Sequence, residues 1–179
     1  MRTPTLVLGW TAAIAACFAI AVSAAARPGA SATKRCAALA GELAKRTSHY
    51  PEGIERGVNV SSTPICFDFT GDGRGDVAFG ILSGGTAGPT YWAVFRRVRT
   101  SSKRLSARYR KVAERFSGSK TRLLRRGRRL AVETPIYKRE DGNCCPTGGA
   151  TRALYRVERS RVVRVGTQTL TPQEAGQIR

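Results

Sequence analysis

Histidine is nearly absent from this chain. His49 is the only one in 179 residues, and no C-x-x-C occurs. A structural zinc site needs several spaced Cys and His ligands, so zinc is set aside as an organising centre. A Ser-His-Asp or Cys-His catalytic site would have to use His49, which lies in a loop beside Tyr50. Acidic residues are also scarce, with 12 Asp and Glu against 31 Lys and Arg and a formal net charge of +19. No internal repeat is visible, which excludes a propeller. No motif for sequence-specific nucleic-acid reading is present.

Charge is missing altogether from Leu6 to Ala26, after the short positive start Met1-Arg2. Small residues, Ala24-Ala25-Ala26, close the apolar run ahead of Arg27, so residues 1–26 read as an export signal. The run is also long enough to stay in the bilayer as a single N-terminal anchor. A third reading takes Ile14-Ala15-Ala16-Cys17 as a lipobox, with Cys17 carrying the lipid. Each reading places the rest of the chain outside the cytoplasm, either secreted or at the cell envelope. Arg2 is the only charge in the signal, so the remainder stays near +18. About 150 residues then remain, the length of one domain.

The composition of that remainder points to a bridged, mainly β (α+β) domain. Four cysteines are left: Cys36, Cys66, Cys144 and Cys145. An even count in an exported domain argues for two disulfides. Neighbouring side chains in extended backbone point to opposite faces. The expected pairing therefore joins one of Cys144 and Cys145 to Cys36 and the other to Cys66. Residues 27–34 read as a flexible leader, and Cys36 to Arg46 as a short helix, with Ala37, Leu39, Ala40 and Leu43 at helical spacing.

Strands are predicted at Gly57 to Phe69, Asp76 to Leu82, Thr90 to Val98, Arg129 to Tyr137, Arg152 to Tyr155 and Arg161 to Val165. Residues 105–116 fit either a helical face or a strand alternation, and their strand neighbours favour a strand. Short connections favour an antiparallel meander, a single sheet spanning residues 35–169. Residues 170–179 read as a frayed tail.

The sharpest chemical pattern is Asp68-Phe69-Thr70-Gly71-Asp72-Gly73-Arg74-Gly75-Asp76. Oxygen side chains stand at its positions 1, 3, 5 and 9, and Gly73 permits a tight turn. Calcium loops need such alternating oxygens, with a backbone carbonyl at position 7, here that of Arg74. Position 12 is Phe79 rather than Glu, which excludes an EF-hand. Asp68, Thr70, Asp72 and Asp76, with the trailing Val77-Ala78-Phe79-Gly80, resemble an FG-GAP or VCBS-type calcium loop. That resemblance implies weakly held Ca²⁺ between two strands. The alternative is a glycine-rich hairpin whose aspartates accept hydrogen bonds from the turn's own amides.

A second motif, Asn143-Cys144-Cys145-Pro146-Thr147-Gly148-Gly149, reads either as a disulfide staple or as a redox or binding loop. Together with ICFDFTGDGRGDVAFG and the aromatic YWAVF, it resembles the LppP/LprE-like exported proteins of high-GC bacteria. The resemblance implies a secreted or envelope-bound domain with no catalytic residues to carry over.

From Arg96 to Arg129 there are fifteen Lys and Arg and one acid, Glu114. Arg96, Arg97, Arg122, Arg125, Arg126, Arg128 and Arg129 are the candidates for contact with a polyanion. Arginine forks suit carboxylates and phosphates, and such density draws anionic wall polymer, lipid head groups or nucleic acid without sequence preference. The expected function is a non-enzymatic envelope or extracellular domain that holds anionic polymer. The rival is a metal-dependent hydrolase using Asp68, Asp72 and Asp76. Glu133, Glu140 and Asp141 are the carboxylates left over for an acid pair.

Overall fold

A computed structural model describes residues 30–49, 63–82, 88–142 and 144–176. Residues 1–26, read above as an export signal with Cys17 inside them, the turn after Tyr50 and the first part of the predicted Gly57 to Phe69 strand lie outside the described residues. Among the described residues no helix is long and apolar enough to cross a membrane.

Helix α1 (Ala30–Ala44) starts six residues before Cys36, so most of the segment read as a leader is helical. Alanine is the best helix former, and the segment carries no β-branched run to oppose it. Ala40, Leu43 and Ala44 form its buried stripe, the spacing of one helical face. Past its end, the Thr47 hydroxyl donates to the Ala44 carbonyl (2.7 Å).

The eight strands are β1 (Ile65–Phe67), β2 (Asp76–Leu82), β3 (Pro89–Arg97), β4 (Tyr109–Phe116), β5 (Arg122–Arg126), β6 (Arg129–Pro135), β7 (Ala150–Val157) and β8 (Val162–Leu170). They form two antiparallel meanders, β1-β2-β3-β4 and β5-β6-β7-β8, rather than the single predicted sheet. The break falls at Ser117 to Thr121. There the backbone bonds back to the start of β3, with Ser117 N–H donating to Thr90 O (2.9 Å) and Thr121 N–H to Pro89 O (3.0 Å). A second layer is required because β2 and β3 carry apolar residues on both pleat faces, and one helix covers only one of them.

Phe79, Phe95, Ala93 and Val77 face α1. Ala78, Trp92 and Val94 face Leu130, Val132, Tyr155 and Val157 of the second sheet. Burial on both sides explains why β2 is a continuous apolar run rather than an alternation. Residues 105–116 resolve into a 3₁₀ turn, Ser106–Arg108, followed by the strand β4.

The tail does not fray at Leu170. Thr171 caps a short helix α2 (Pro172–Ala175) through a reciprocal box with Glu174. Ala175 packs against Ala150 and Leu170.

The disulfide expectation is corrected. Cys36 bridges Cys66, joining α1 to β1 across a Cα separation of 5.9 Å. Cys144 is paired with Cys145. α1 and β1 both belong to the first sheet's side of the molecule, whereas the Cys-Cys-Pro segment lies in the β6–β7 connection of the second sheet. The two pairs therefore sit on different layers, and no cross-bridge forms.

Candidate functional site

The aspartate loop joins β1 to β2, and all its carboxylates have partners. Asp68 accepts N–H bonds from Gly71 (2.6 Å), Asp72 (3.1 Å) and Gly73 (2.9 Å). Asp76 is fully buried. One of its oxygens accepts from the Thr70 amide (3.0 Å) and hydroxyl (3.1 Å), the other from the Arg97 amide at the end of β3 (3.1 Å). Burial pushes the Asp76 pKa up despite these donors.

Asp72 takes the Arg74 amide (3.1 Å) and the Arg96 guanidinium (3.0 Å). Partial burial raises its pKa, but these donors and the two nearby arginines outweigh that and hold it below the usual range. Gly71 (φ 74°) holds a left-handed backbone that favours glycine, and the Arg128 guanidinium packs where a Cβ would stand.

The oxygens of Asp68, Thr70, Asp72 and Asp76 thus address amides and a guanidinium rather than one shared point. Among the described residues no cluster of three or more His, Cys, Asp or Glu could hold a metal ion. This donor set does not fit calcium as arranged, because a resident cation, Arg96, occupies Asp72. Chemically the loop is a pin that fixes β1, β2 and β3 to one another.

The cationic candidates divide by role. Arg96 braces the aspartate loop through Asp72, and the Arg128 guanidinium lies against Gly71. Arg125 lies over the Phe67 ring at 4.4 Å. Arg97 supplies its backbone amide to Asp76. Arg122 grips Glu133 through Nε (3.0 Å) and Nη2 (2.6 Å), and Nη2 also donates to the Ala175 carbonyl (2.9 Å). Arg152 reaches the other oxygen of Glu133 (2.7 Å). Glu133 is completely buried, so it forms a clamp with two arginines and no acid pair with Glu140 or Asp141.

Arg126 and Arg129 face each other across the β5–β6 turn. They are exposed and have no ionic partner among the described residues. Gly127 (φ 58°) opens that two-residue turn, as a primed hairpin turn requires. Continuing the register past Leu130 opposite Tyr155 sets Arg129 beside Arg156 of β7. Pleat alternation puts Arg126, Arg129 and Arg156 on the outward face of the second sheet. Arg156, which also bonds Glu158 (2.9 Å), lies outside the arginine-dense window. Strand register would have shown it, had the β6–β7 pairing been known.

His49 does not sit in a catalytic array. Its ring stacks on Tyr91 (3.6 Å between centroids). Its backbone N–H and that of Ser48 donate to Glu114 (3.2 and 2.8 Å). No protein-family model, curated protein or solved structure matches the chain.

Proposed function

We propose that the chain is an exported, non-enzymatic domain of the envelope or extracellular space that holds anionic polymer on the outward face of its second sheet. The single observation that carries this reading is the row of Arg126, Arg129 and Arg156 across three adjacent strands. Strand spacing sets neighbouring guanidinium stems about 5 Å apart, a separation at which one extended polyanion can meet several of them. The sequence-level likeness to LppP/LprE-like exported proteins agrees with this reading. So does the engagement of nearly every described acid in a structural bond, which leaves few groups for proton transfer.

The test is binding of inorganic polyphosphate by the purified protein across a salt series. Affinity should fall steeply with salt, and the Arg126→Ala/Arg129→Ala pair should flatten the log–log slope by about 1 to 2. Binding that ignores salt, or no binding at low salt, removes the proposal. Turnover of a phosphoester lost in Asp72→Ala and in chelator would favour the metal-dependent hydrolase instead.

A further inference from the structure

The two disulfides differ in what they can do for the fold. Cys36–Cys66 closes 30 residues of chain, whereas Cys144–Cys145 joins neighbours and closes no loop. A bridge stabilises chiefly by removing loop-closure freedom from the unfolded chain, and for adjacent residues there is almost none to remove.

The segment around the pair is held by other means. The Asp141 carboxylate accepts N–H bonds from Lys138 (2.7 Å) and Thr147 (2.8 Å) and the Thr147 hydroxyl (2.7 Å). The Cys145 amide donates to the Gly142 carbonyl (3.1 Å). Lys120, from the link between the sheets, donates its ammonium to the Cys144 carbonyl. Both cysteines are exposed. The loop is therefore braced on either side of a bond that it does not need and that solvent reaches, with a cation held on the backbone carbonyl of one of its cysteines. A nearby cation favours a thiolate over a thiol.

We infer that Cys144–Cys145 is a thiol–disulfide exchange site, which accepts two electrons from an external dithiol and can return them to a disulfide substrate. In the first step a donor thiolate attacks one sulfur of the pair. The Cys144–Cys145 bond breaks, a mixed disulfide forms, and the other cysteine leaves as a thiolate. The donor's second thiol then displaces the mixed disulfide. The donor is left as its cyclic disulfide and the pair as a dithiol, the donor's two protons going to the two cysteine sulfurs or to solvent. The Asp141 bonds are untouched, so the loop keeps its place through the cycle.

The test is graded reduction of the purified full chain by dithiothreitol at neutral pH, followed by alkylation and peptide mass mapping. Cys144 and Cys145 should be trapped together at a rate about tenfold or more above that of Cys36 and Cys66. The reduced protein should pass electrons to glutathione disulfide. The Cys144→Ser/Cys145→Ser variant should lose that transfer and keep its melting temperature. A bridge from Cys144 or Cys145 to Cys36 or Cys66, or reduction of both pairs only on unfolding, would overturn the inference. So would a melting temperature several degrees lower in the double variant, which would make the pair a staple.

Discussion

The two four-stranded sheets share a topology and differ in what covers them. The first is enclosed, with α1 on one face and the second sheet on the other; its central strand β2 is almost wholly buried and β3 is buried over its middle. The second has one face against the core and one turned outward, where Arg126, Arg129, Leu124 and Leu154 stand. The acids of the enclosed sheet fix it in place, Asp76 to Arg97, Asp72 to Arg96, and Glu114 to Ser48 and His49, while its exposed cations are confined to the edge strand β4. The half-covered sheet keeps charged groups accessible, apart from the Glu133 clamp that ties α2 to its surface. A meander is thus equally suited to be core or display, and the number of layers packed on it decides which.

The largest effect expected from breaking this contrast is at Trp92, which is buried between the sheets against Tyr155 (5.0 Å). Trp92→Ala should cost about 3–5 kcal/mol in urea unfolding. Leu124→Ala, at a half-buried position on the outward face, should cost about 1 kcal/mol. Equal losses at the two positions would mean that the second sheet is covered on both sides.

Next comes Cys36→Ser/Cys66→Ser, which frees α1 from β1 and should cost about 3–4 kcal/mol, measured in the same way. Glu133→Gln should cost about 2–3 kcal/mol, less than for a wholly buried triad because Arg122 is partly exposed to solvent. It should also raise proteolysis of the tail after Leu170, since Arg122 then loses the carboxylate that aims it at Ala175.

The smallest effect concerns pH, and the buried Asp76 and the half-buried Glu114 of the enclosed sheet should oppose each other. Burial raises the Asp76 pKa in the folded protein above its ordinary 3.8. The folded state then binds the proton more tightly than the unfolded, and stability falls as pH climbs from about 4 through the folded value. Glu114 is the reverse. Burial pushes its pKa up, but Lys111 and the Ser48 and His49 amides outweigh that and hold it below 4.5. Its contribution is present above about 4.5 and is lost as pH falls through the folded value. Asp76→Asn should therefore flatten the decline and Glu114→Gln the rise, in thermal melts between pH 3 and 6. Millimolar Ca²⁺ should leave the melting temperature unchanged while Arg96 holds Asp72, and a rise of several degrees would restore the calcium reading of the loop.

Strand identity was legible because pattern reports burial. Asp76 to Leu82 is a strand over those same residues, and Thr90 to Val98 differs from β3 by a residue at each end. Sheet count was hidden, since no residue type in Ser117 to Thr121 states whether the next strand pairs with the last or starts a new layer. Helix α1 begins ahead of the predicted Cys36 start because Ala30 to Lys34, which follow a Pro-Gly pair, carry no apolar spacing that signals a helix. In the aspartate loop the sequence offered both a cation cage and a self-bonded turn. The self-bonded arrangement depends on Arg96 of β3, twenty-four residues away, reaching Asp72.

Composition and local pattern alone determined a cysteine-bearing, strongly cationic β domain with a glycine-rich aspartate turn, because those properties depend on residue type and near neighbours. Only the tertiary structure decided that Cys36 meets Cys66, that Glu133 is clamped by two arginines, and which arginines remain free. Those outcomes depend on how two layers are stacked, and stacking is set by contacts between residues far apart in the chain.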